Sequence, residues 1–230
     1  MSTQTLVRRK PEIEYPDSDG QPMSDNTLQF QWIVTLQGGL DALFRDVPNV
    51  FVAGDLLWYP VEGDNTIRAA PDVMVAFGRP KGYRGSYKQW EEEDIAPQVV
   101  FEVLSPSNRV SDMADKLQFY DRYEVEEYYL FDPEKTDLDG WVRRGEDLVR
   151  LEKADGWTSP RLGVRFDLSS GDLKVFGPDG QPFATYVELV EQREQERQRA
   201  QQERQWAQQE RQRAERLAAQ LRALGVEPNG

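Results

Sequence analysis

The sequence predicts an α/β fold in which one central mixed sheet is flanked by helices, followed by a long charged C-terminal helix. Three observations predict this fold. Apolar residues recur at helical spacing in residues 28–43 and 113–120, β-branched and aromatic runs lie around these segments, and residues 195–215 repeat with a period of seven. The 230 residues are therefore expected to form an N-terminal extension (1–23), an α/β domain (24–186) and a helical tail (187–230).

The first half of the α/β domain is predicted to be a helix followed by three strands. Ser24 and Asp25 are expected to cap the helix, because short polar side chains accept hydrogen bonds from the first free backbone N–H groups. The three strands are expected at residues 49–59, 66–77 and 98–104. The third is almost entirely apolar, which is typical of a strand that is buried on both faces.

The second half begins with another helix. Ser111 or Asp112 is expected to cap it, and it is expected to end near Tyr123. Residues 127–132 form the next predicted strand, because the segment is rich in aromatic residues and Pro133 follows it.

The composition excludes several classes of chemistry. The chain contains no histidine and no cysteine, so it has no Ser-His-Asp triad, no imidazole base, no thiol nucleophile and no zinc site of the usual type. Carboxylate, lysine, hydroxyl and backbone groups remain. Any bound metal is therefore expected to be a hard cation held by oxygen atoms, such as Mg²⁺ or Mn²⁺.

The net charge of −13 lies entirely on residues 1–186, because residues 187–230 contain eight arginines and eight glutamates. A body of this charge repels a phosphate backbone at long range. Contact with DNA would therefore require a bound metal ion or a local basic element.

Residues 77–90 contain no acid and could provide such an element. Their basic side chains are interleaved with Tyr83, Tyr87 and Trp90, and such a mixture suits phosphate and base contacts. The candidate nucleic-acid-binding residues are Arg79, Lys81, Arg84 and Lys88. An ordinary surface loop that is balanced by the acidic residues 91–94 explains the same pattern.

Three carboxylates fall in or beside predicted strands. Glu102 lies within the most apolar strand, and a buried carboxylate is costly unless it is paired or binds a metal. Asp72 follows Pro71 at the start of an apolar run, and Asp55 is expected inside another strand. Carboxylates on adjacent strands suit a hard divalent cation, although a paired buried glutamate or a turn aspartate remains an alternative for each.

Lys116 lies on the helix that follows the Glu102 strand and borders the buried face of that helix. A lysine there could orient a water molecule or stabilise negative charge that develops on a phosphate. A surface ion pair with Asp112, four residues earlier, is the alternative.

The tail has one heptad position occupied by alanine and leucine. Two interpretations of the tail remain open: a coiled-coil arm that forms a homo-oligomer, or a solvated single helix. Docking or self-association is favoured for residues 217–224, and a protein partner could bind along residues 187–224. Gly225 and Pro228 are expected to end the helix.

Four segments together resemble a known family. They are APDVMVAFG (70–78), PQVVFEVLSPS (97–107), SDMADKLQFY (111–120) and EVEEYYLFDP (124–133). In this order they resemble the Uma-two family of restriction-endonuclease-like proteins, within the PD-(D/E)XK nuclease superfamily. The resemblance extends from Phe51 to about Phe176.

The resemblance implies a Mg²⁺-dependent endonuclease that hydrolyses DNA on a restriction-endonuclease-like αβββαβ core. Asp72 and Glu102 match the acidic motif residues and would be catalytic metal ligands, with Asp55 as a possible third ligand. Leu104 stands where the superfamily usually has lysine, and in this family Lys116 on the following helix would supply that lysine. The first-helix acid of some superfamily members has no equivalent here, since Gln29 and Gln31 occupy that region.

Two classes of function therefore remain. The first is a metal-dependent endonuclease with DNA as its substrate. The second is a catalytically weak or inactive nuclease-fold protein that oligomerises or recruits a partner through its tail. Neither requires a membrane, and the polar N-terminus and absence of an apolar span predict a cytoplasmic protein.

Overall fold

The computed structural model describes residues 13–18, 20, 22 and 24–223. Most of the predicted N-terminal extension lies outside the described residues, as do Leu224 and the predicted helix end at Gly225 and Pro228. The chain divides into two compact units, Met1–Phe183 and Ala184–Gly230. None of the described helices is both long enough and apolar enough to cross a bilayer.

The first unit contains two helices and ten strands among its described residues, together with a short 3₁₀ helix at Gln89–Glu91. In chain order they are α1 (Thr27–Leu43), β1 (Val50–Gly54), β2 (Trp58–Tyr59), β3 (Val73–Phe77), β4 (Tyr87–Lys88), β5 (Val99–Val103), α2 (Val110–Arg122), β6 (Glu127–Asp132), β7 (Asp137–Arg144), β8 (Asp147–Arg150), β9 (Arg165–Asp167) and β10 (Lys174–Phe176).

Six strands form one mixed sheet in the order β1-β3-β5-β6-β7-β8. Strands β5 and β6 are parallel, whereas every other neighbouring pair in this sheet is antiparallel. Parallel neighbours need a crossover connection, and α2 provides it. The elements α1, β1, β3, β5, α2 and β6 form the predicted αβββαβ order, so the prediction of an α/β fold with a central mixed sheet is confirmed.

The two faces of the sheet are covered by different elements because successive strand residues point to opposite sides. On one face α1 packs against residues such as Val75 and Phe101. On the other face α2 packs against residues such as Met74 and Val100. Asp72 and Glu102 have the same parity as Met74 and Val100, so both carboxylates lie on the α2 side.

Two predicted strands are shorter than the sequence suggested. Residues 49–59 do not form one strand, because β1 ends at Gly54 and Asp55 has a φ of 47°. This left-handed conformation turns the chain out of the sheet, so that Trp58 pairs with Tyr87 of β4 instead. Asp55 therefore lies beyond the strand and not inside it. Likewise only Val73–Phe77 of residues 66–77 is a strand.

The first helix begins at Thr27, and its N-cap lies after both predicted cap residues, Ser24 and Asp25. Asn26 is the N-cap, and its Oδ1 accepts from the backbone N–H of Gln29 at 2.8 Å. Asp25 instead accepts hydrogen bonds from the hydroxyls of Ser105, at 2.5 Å, and Ser107. The Asp25 carboxylate, which was predicted to cap the helix, therefore links the start of α1 to the segment that follows β5.

The second unit is dominated by α3 (Tyr186–Ala223), a helix of 38 residues. Its start is capped reciprocally, because the backbone N–H of Thr185 donates to Glu188 at 2.7 Å and the backbone N–H of Glu188 donates to the Thr185 hydroxyl at 3.3 Å. No described residue of this helix is buried, and Trp206 is 68% exposed. The helical tail is thus observed, whereas a coiled coil stays a prediction.

Candidate active site

Three carboxylate residues occupy one row across neighbouring strands. In the antiparallel pairing of β3 and β5, Val73 lies opposite Phe101, so one further step places Asp72 opposite Glu102. In the pairing of β1 and β3, Gly54 lies opposite Val73, and one further step places Asp55 opposite Asp72. The backbone N–H of Asp55 donates to the Asp72 carbonyl at 3.2 Å, which supports this extension of the register.

The row opens into a cavity of about 260 Å³. Its lining includes all four residues that were predicted to act in catalysis or metal binding: Asp55, Asp72, Glu102 and Lys116. Three different strands or strand ends and helix α2 supply these residues, which are up to 61 positions apart in the sequence. The tertiary structure therefore brings the candidate site residues together.

Glu102 is held by two side chains of α2. Lys116 Nζ lies 2.6 Å from Glu102 Oε2, and the Tyr120 hydroxyl donates to Glu102 Oε1. The Glu102 side chain is only 3% exposed, whereas that of Lys116 is 31% exposed. Lys116 therefore pairs with Glu102 and not with Asp112, whose carboxylate accepts from the N-cap backbone of α2 at 3.3 Å.

Asp72 is buried beside a second carboxylate. Its Oδ2 accepts from the backbone N–H of Val103 at 2.6 Å, which fixes its orientation. Burial is the main cause that raises the pKa of Asp72 well above its ordinary value, and the negative charge of Glu102 raises it further. The raised pKa means that the charged form of Asp72 is less favourable in this site than in water.

The negative charge of Glu102 also shifts the pKa values of the two side chains that contact it, Lys116 and Tyr120. Burial lowers the pKa of Lys116, but the attraction and hydrogen bond of Glu102 outweigh it, so the net pKa is raised and the ammonium form is favoured. Burial and the adjacent Glu102 carboxylate raise the pKa of the Tyr120 hydroxyl well above its ordinary value. Tyr120 therefore stays a hydrogen-bond donor at neutral pH.

The donor set suits a hard cation. No group of three acidic side chains forms a preassembled metal cluster within the described parts of the chain. Mg²⁺, however, usually binds to one or two carboxylates and keeps several water molecules or phosphate oxygens as its other ligands. Two carboxylates beside a cavity of about 260 Å³ provide those ligands and the space for water.

Two residues at the site were not recognised from the sequence as functional. Tyr120 lies in the apolar helical pattern of residues 113–120, and its position four residues after Lys116 puts both side chains on one helix face. Gln29 is buried, and its Nε2 donates to the Val103 carbonyl at 2.8 Å while its Oε1 accepts from the Asp25 backbone at 2.8 Å. Only the packing of α1 against β5 could reveal the contact between Gln29 and Val103.

The four basic residues predicted to bind nucleic acid lie outside this cavity, and each one pairs with a carboxylate. Arg79 contacts Glu92 and Glu93, both at 2.9 Å. The remaining pairs are Arg84–Glu92, Lys81–Asp41 at 3.0 Å and Lys88–Glu91 at 3.4 Å. Their nucleic-acid role stays a prediction, and a phosphate would have to compete with these carboxylates.

Comparison with known proteins adds a family assignment to this geometry. The family model Uma2, described as "Putative restriction endonuclease", matches residues 4–175. One similar solved structure is described as "a putative nuclease belonging to DUF820 from Anabaena variabilis ATCC 29413", with 13% sequence identity and a TM-score of 0.44. The alignment covers 59% of this chain and 72% of that chain. No curated protein matches.

Proposed function

The chain belongs to the Uma2 family of restriction-endonuclease-like proteins, and from this premise we propose that it is a metal-dependent endonuclease acting on DNA. Hydrolysis of the phosphodiester bond is assigned to the cavity that Asp72, Glu102 and Lys116 line. The proposal rests on one observation, which is that two buried carboxylates and a lysine line the same cavity. This set can act on a phosphate without histidine or cysteine.

Asp72 and Glu102 would hold a divalent cation, Mg²⁺ or Mn²⁺, and Asp55 would be an additional ligand. Such an ion supplies a water molecule of lowered pKa and polarises the phosphate oxygens. The protein contributes orientation, because Val103 fixes Asp72 while Lys116 and Tyr120 fix Glu102. These contacts hold both carboxylates in place before the substrate binds.

Lys116 is assigned a second role. Its ammonium group lines the cavity and is partly exposed, so a phosphate that enters can reach it. The positive charge would stabilise the negative charge that develops on the phosphate during hydrolysis. The raised pKa of Lys116 keeps this charge in place at neutral pH.

Titration with Mg²⁺ or Mn²⁺ tests the metal site. A ligand at about 100 times its Kd stabilises the folded state by about 2.7 kcal/mol, which corresponds to a Tm increase of roughly 5–10 °C for a domain of this size. We expect this increase in the wild type and its loss in Asp72→Asn and Glu102→Gln. Asp147→Asn, which removes an exposed carboxylate of β8, is the matched control.

Equal stabilisation of all four proteins would show that the ions bind elsewhere. Absence of stabilisation in every protein would favour the second function, a catalytically inactive nuclease-fold protein that binds a partner. The charge of −13 and the ion pair that already engages Lys116 are the observations in favour of that alternative.

The tail is proposed to mediate self-association. Leu217 and Leu221 are 51% and 38% exposed and lie one helical turn apart, so their side chains can form an apolar contact on one face of α3. Removal of residues 192–230 is expected to reduce the molecular mass in solution to that of a monomer, as measured by light scattering. Leu217→Gln combined with Leu221→Gln should have the same effect, and an unchanged subunit number in both would exclude the tail as the assembly element.

A further inference from the structure

Most basic side chains of the first unit are already neutralised by carboxylates, including the four of the predicted nucleic-acid-binding loop. A DNA substrate therefore needs other cations. Among the described residues of this unit, five basic side chains form no ion pair with a described carboxylate: Arg68, Arg109, Arg122, Arg144 and Lys174.

Two of these five side chains, both of them arginines, line one groove. Arg68 and Arg122 border a cavity of about 360 Å³, and Phe119 and Tyr123 are also in its lining. Asp115 is the acidic residue of this lining, so the cavity has a local charge of +1 in a unit that is strongly negative. Both arginine side chains are exposed, so a ligand can reach them.

The groove and the candidate active site take residues from the same two segments of the chain. Arg68 precedes Ala70 and Asp72, which line the active-site cavity. On α2, Lys116 and Tyr120 contact Glu102, whereas Phe119 and Arg122 line the groove. Lys116 and Arg122 are six residues apart, which corresponds to about 9 Å along the helix axis.

That separation fits a polynucleotide strand. Phosphates recur at every nucleotide of a DNA strand, so a cation about 9 Å along α2 from Lys116 can contact a phosphate close to the one in the active-site cavity. A guanidinium group donates two parallel hydrogen bonds to phosphate oxygens and keeps its charge at any physiological pH. The aromatic residues add an apolar wall that suits the sugar or the base of the same strand.

We propose that Arg68 and Arg122 contact backbone phosphates of the DNA strand that flank the phosphate that is hydrolysed. The inference rests on the proposed endonuclease function and specifies how a body with a charge of −13 holds its substrate. It assigns positioning of the substrate to the groove and leaves the chemistry to the active-site cavity.

The test compares two double variants of equal charge. Arg68→Gln with Arg122→Gln removes the groove cations. Arg144→Gln with Lys174→Gln removes two exposed cations that form no ion pair with a described carboxylate and line neither cavity. Binding of a fluorescein-labelled DNA duplex is measured by anisotropy in Ca²⁺ between about 50 and 200 mM salt. Single-turnover cleavage of the same duplex is measured in Mg²⁺.

We expect the groove variant to bind DNA about tenfold more weakly than the wild type. The slope of log K against log salt should also be shallower, by an amount that corresponds to roughly two phosphate contacts. The control variant should bind like the wild type. In cleavage, the groove variant should require more DNA for half-maximal rate and keep a similar rate at saturation, because the active-site groups are intact.

Equal weakening in both double variants would mean a general charge effect and would overturn the inference, as would a wild type that binds RNA but no DNA. Cleavage and binding that are insensitive to the groove change would overturn the inference and leave the endonuclease function standing. DNA binding that depends on the groove without divalent-dependent cleavage would support the groove assignment as a DNA contact and reject the endonuclease.

Discussion

Replacement of Asp72 by Asn, or of Glu102 by Gln, is expected to reduce divalent-ion-dependent DNA cleavage by about 10³-fold or more. Each change removes one of the two buried carboxylates that face the cavity, while the side-chain volume stays almost the same. Loss of several kcal/mol of stabilisation by the metal ion corresponds to that factor in rate. Nicking and linearisation of a supercoiled plasmid, followed under single-turnover conditions, measure the effect.

The matched control is Asp147→Asn, which should cleave like the wild type because Asp147 is exposed and lies on β8, away from the cavity. Cleavage at the wild-type rate by both Asp72→Asn and Glu102→Gln would contradict the assignment of the site. Loss of cleavage in all three variants would indicate a general effect of negative charge on the protein.

The same Asp72→Asn variant is expected to be more stable than the wild type without metal at neutral pH. The pKa of Asp72 is raised in the folded protein by burial and by Glu102. The folded state then binds a proton more tightly than the unfolded state, so wild-type stability falls as the pH rises from about 3.8 through the raised pKa. Asparagine has no such charge, and its amide oxygen can still accept from Val103.

The gain should be about 0.5–2 kcal/mol near neutral pH, and it should shrink as the pH falls towards 4. Urea unfolding in EDTA at a series of pH values measures both proteins, and their difference isolates Asp72 from the other titrating groups. A variant that is less stable than the wild type at every pH would mean that the Asp72 carboxylate stabilises the fold. In that case the charge at the site would be balanced by contacts other than a metal ion.

Replacement of Lys116 by Met is expected to lower both stability and cleavage. Loss of the ammonium group leaves the buried Glu102 carboxylate with Tyr120 as its described side-chain partner. Loss of one partner of a fully buried ion pair costs about 3–5 kcal/mol, and the partial exposure of Lys116 reduces the expected cost to about 2–3 kcal/mol. Cleavage should fall by about 10²–10³-fold, because one charged donor to the phosphate is lost.

Urea unfolding in EDTA and single-turnover cleavage in Mg²⁺ separate the two effects. Divalent ions should restore part of the lost stability, since they can compensate the Glu102 charge, but they should not restore the cleavage rate. Lys116→Arg keeps the charge and is the control for the ion pair. Wild-type stability together with wild-type cleavage in Lys116→Met would remove Lys116 from the site.

The elements that contain strong local patterns were predictable from the sequence. The strand at residues 127–132 matches β6, and the apolar run 98–104 contains β5. Such patterns depend on burial of one short segment and need no knowledge of its neighbours. The same reasoning identified Glu102 as the carboxylate in an otherwise apolar strand, and its side chain is indeed buried.

Predictions that required contacts between distant segments were less accurate. The sequence gives no indication that Asp55 adopts a left-handed conformation and ends β1, because the chain turns there to pair Trp58 with β4. It left a surface ion pair with Asp112 open as an alternative for Lys116, whereas the packing of α2 on the sheet pairs Lys116 with Glu102. Local spacing cannot identify a partner that is distant in the sequence and that only helix packing brings into contact.

The sequence alone determined the available chemistry, the α/β order of the elements, and a body that carries the entire charge of −13 beside a neutral helical tail. These properties follow from composition and local periodicity. Only the tertiary structure decided which charges meet. Strand register places Asp55, Asp72 and Glu102 in one row. Helix packing brings Arg68 and Arg122 into one groove. Carboxylates neutralise Arg79 and Arg84. The physical reason is that electrostatic interactions depend on distance in space, which the sequence does not specify for residues far apart along the chain.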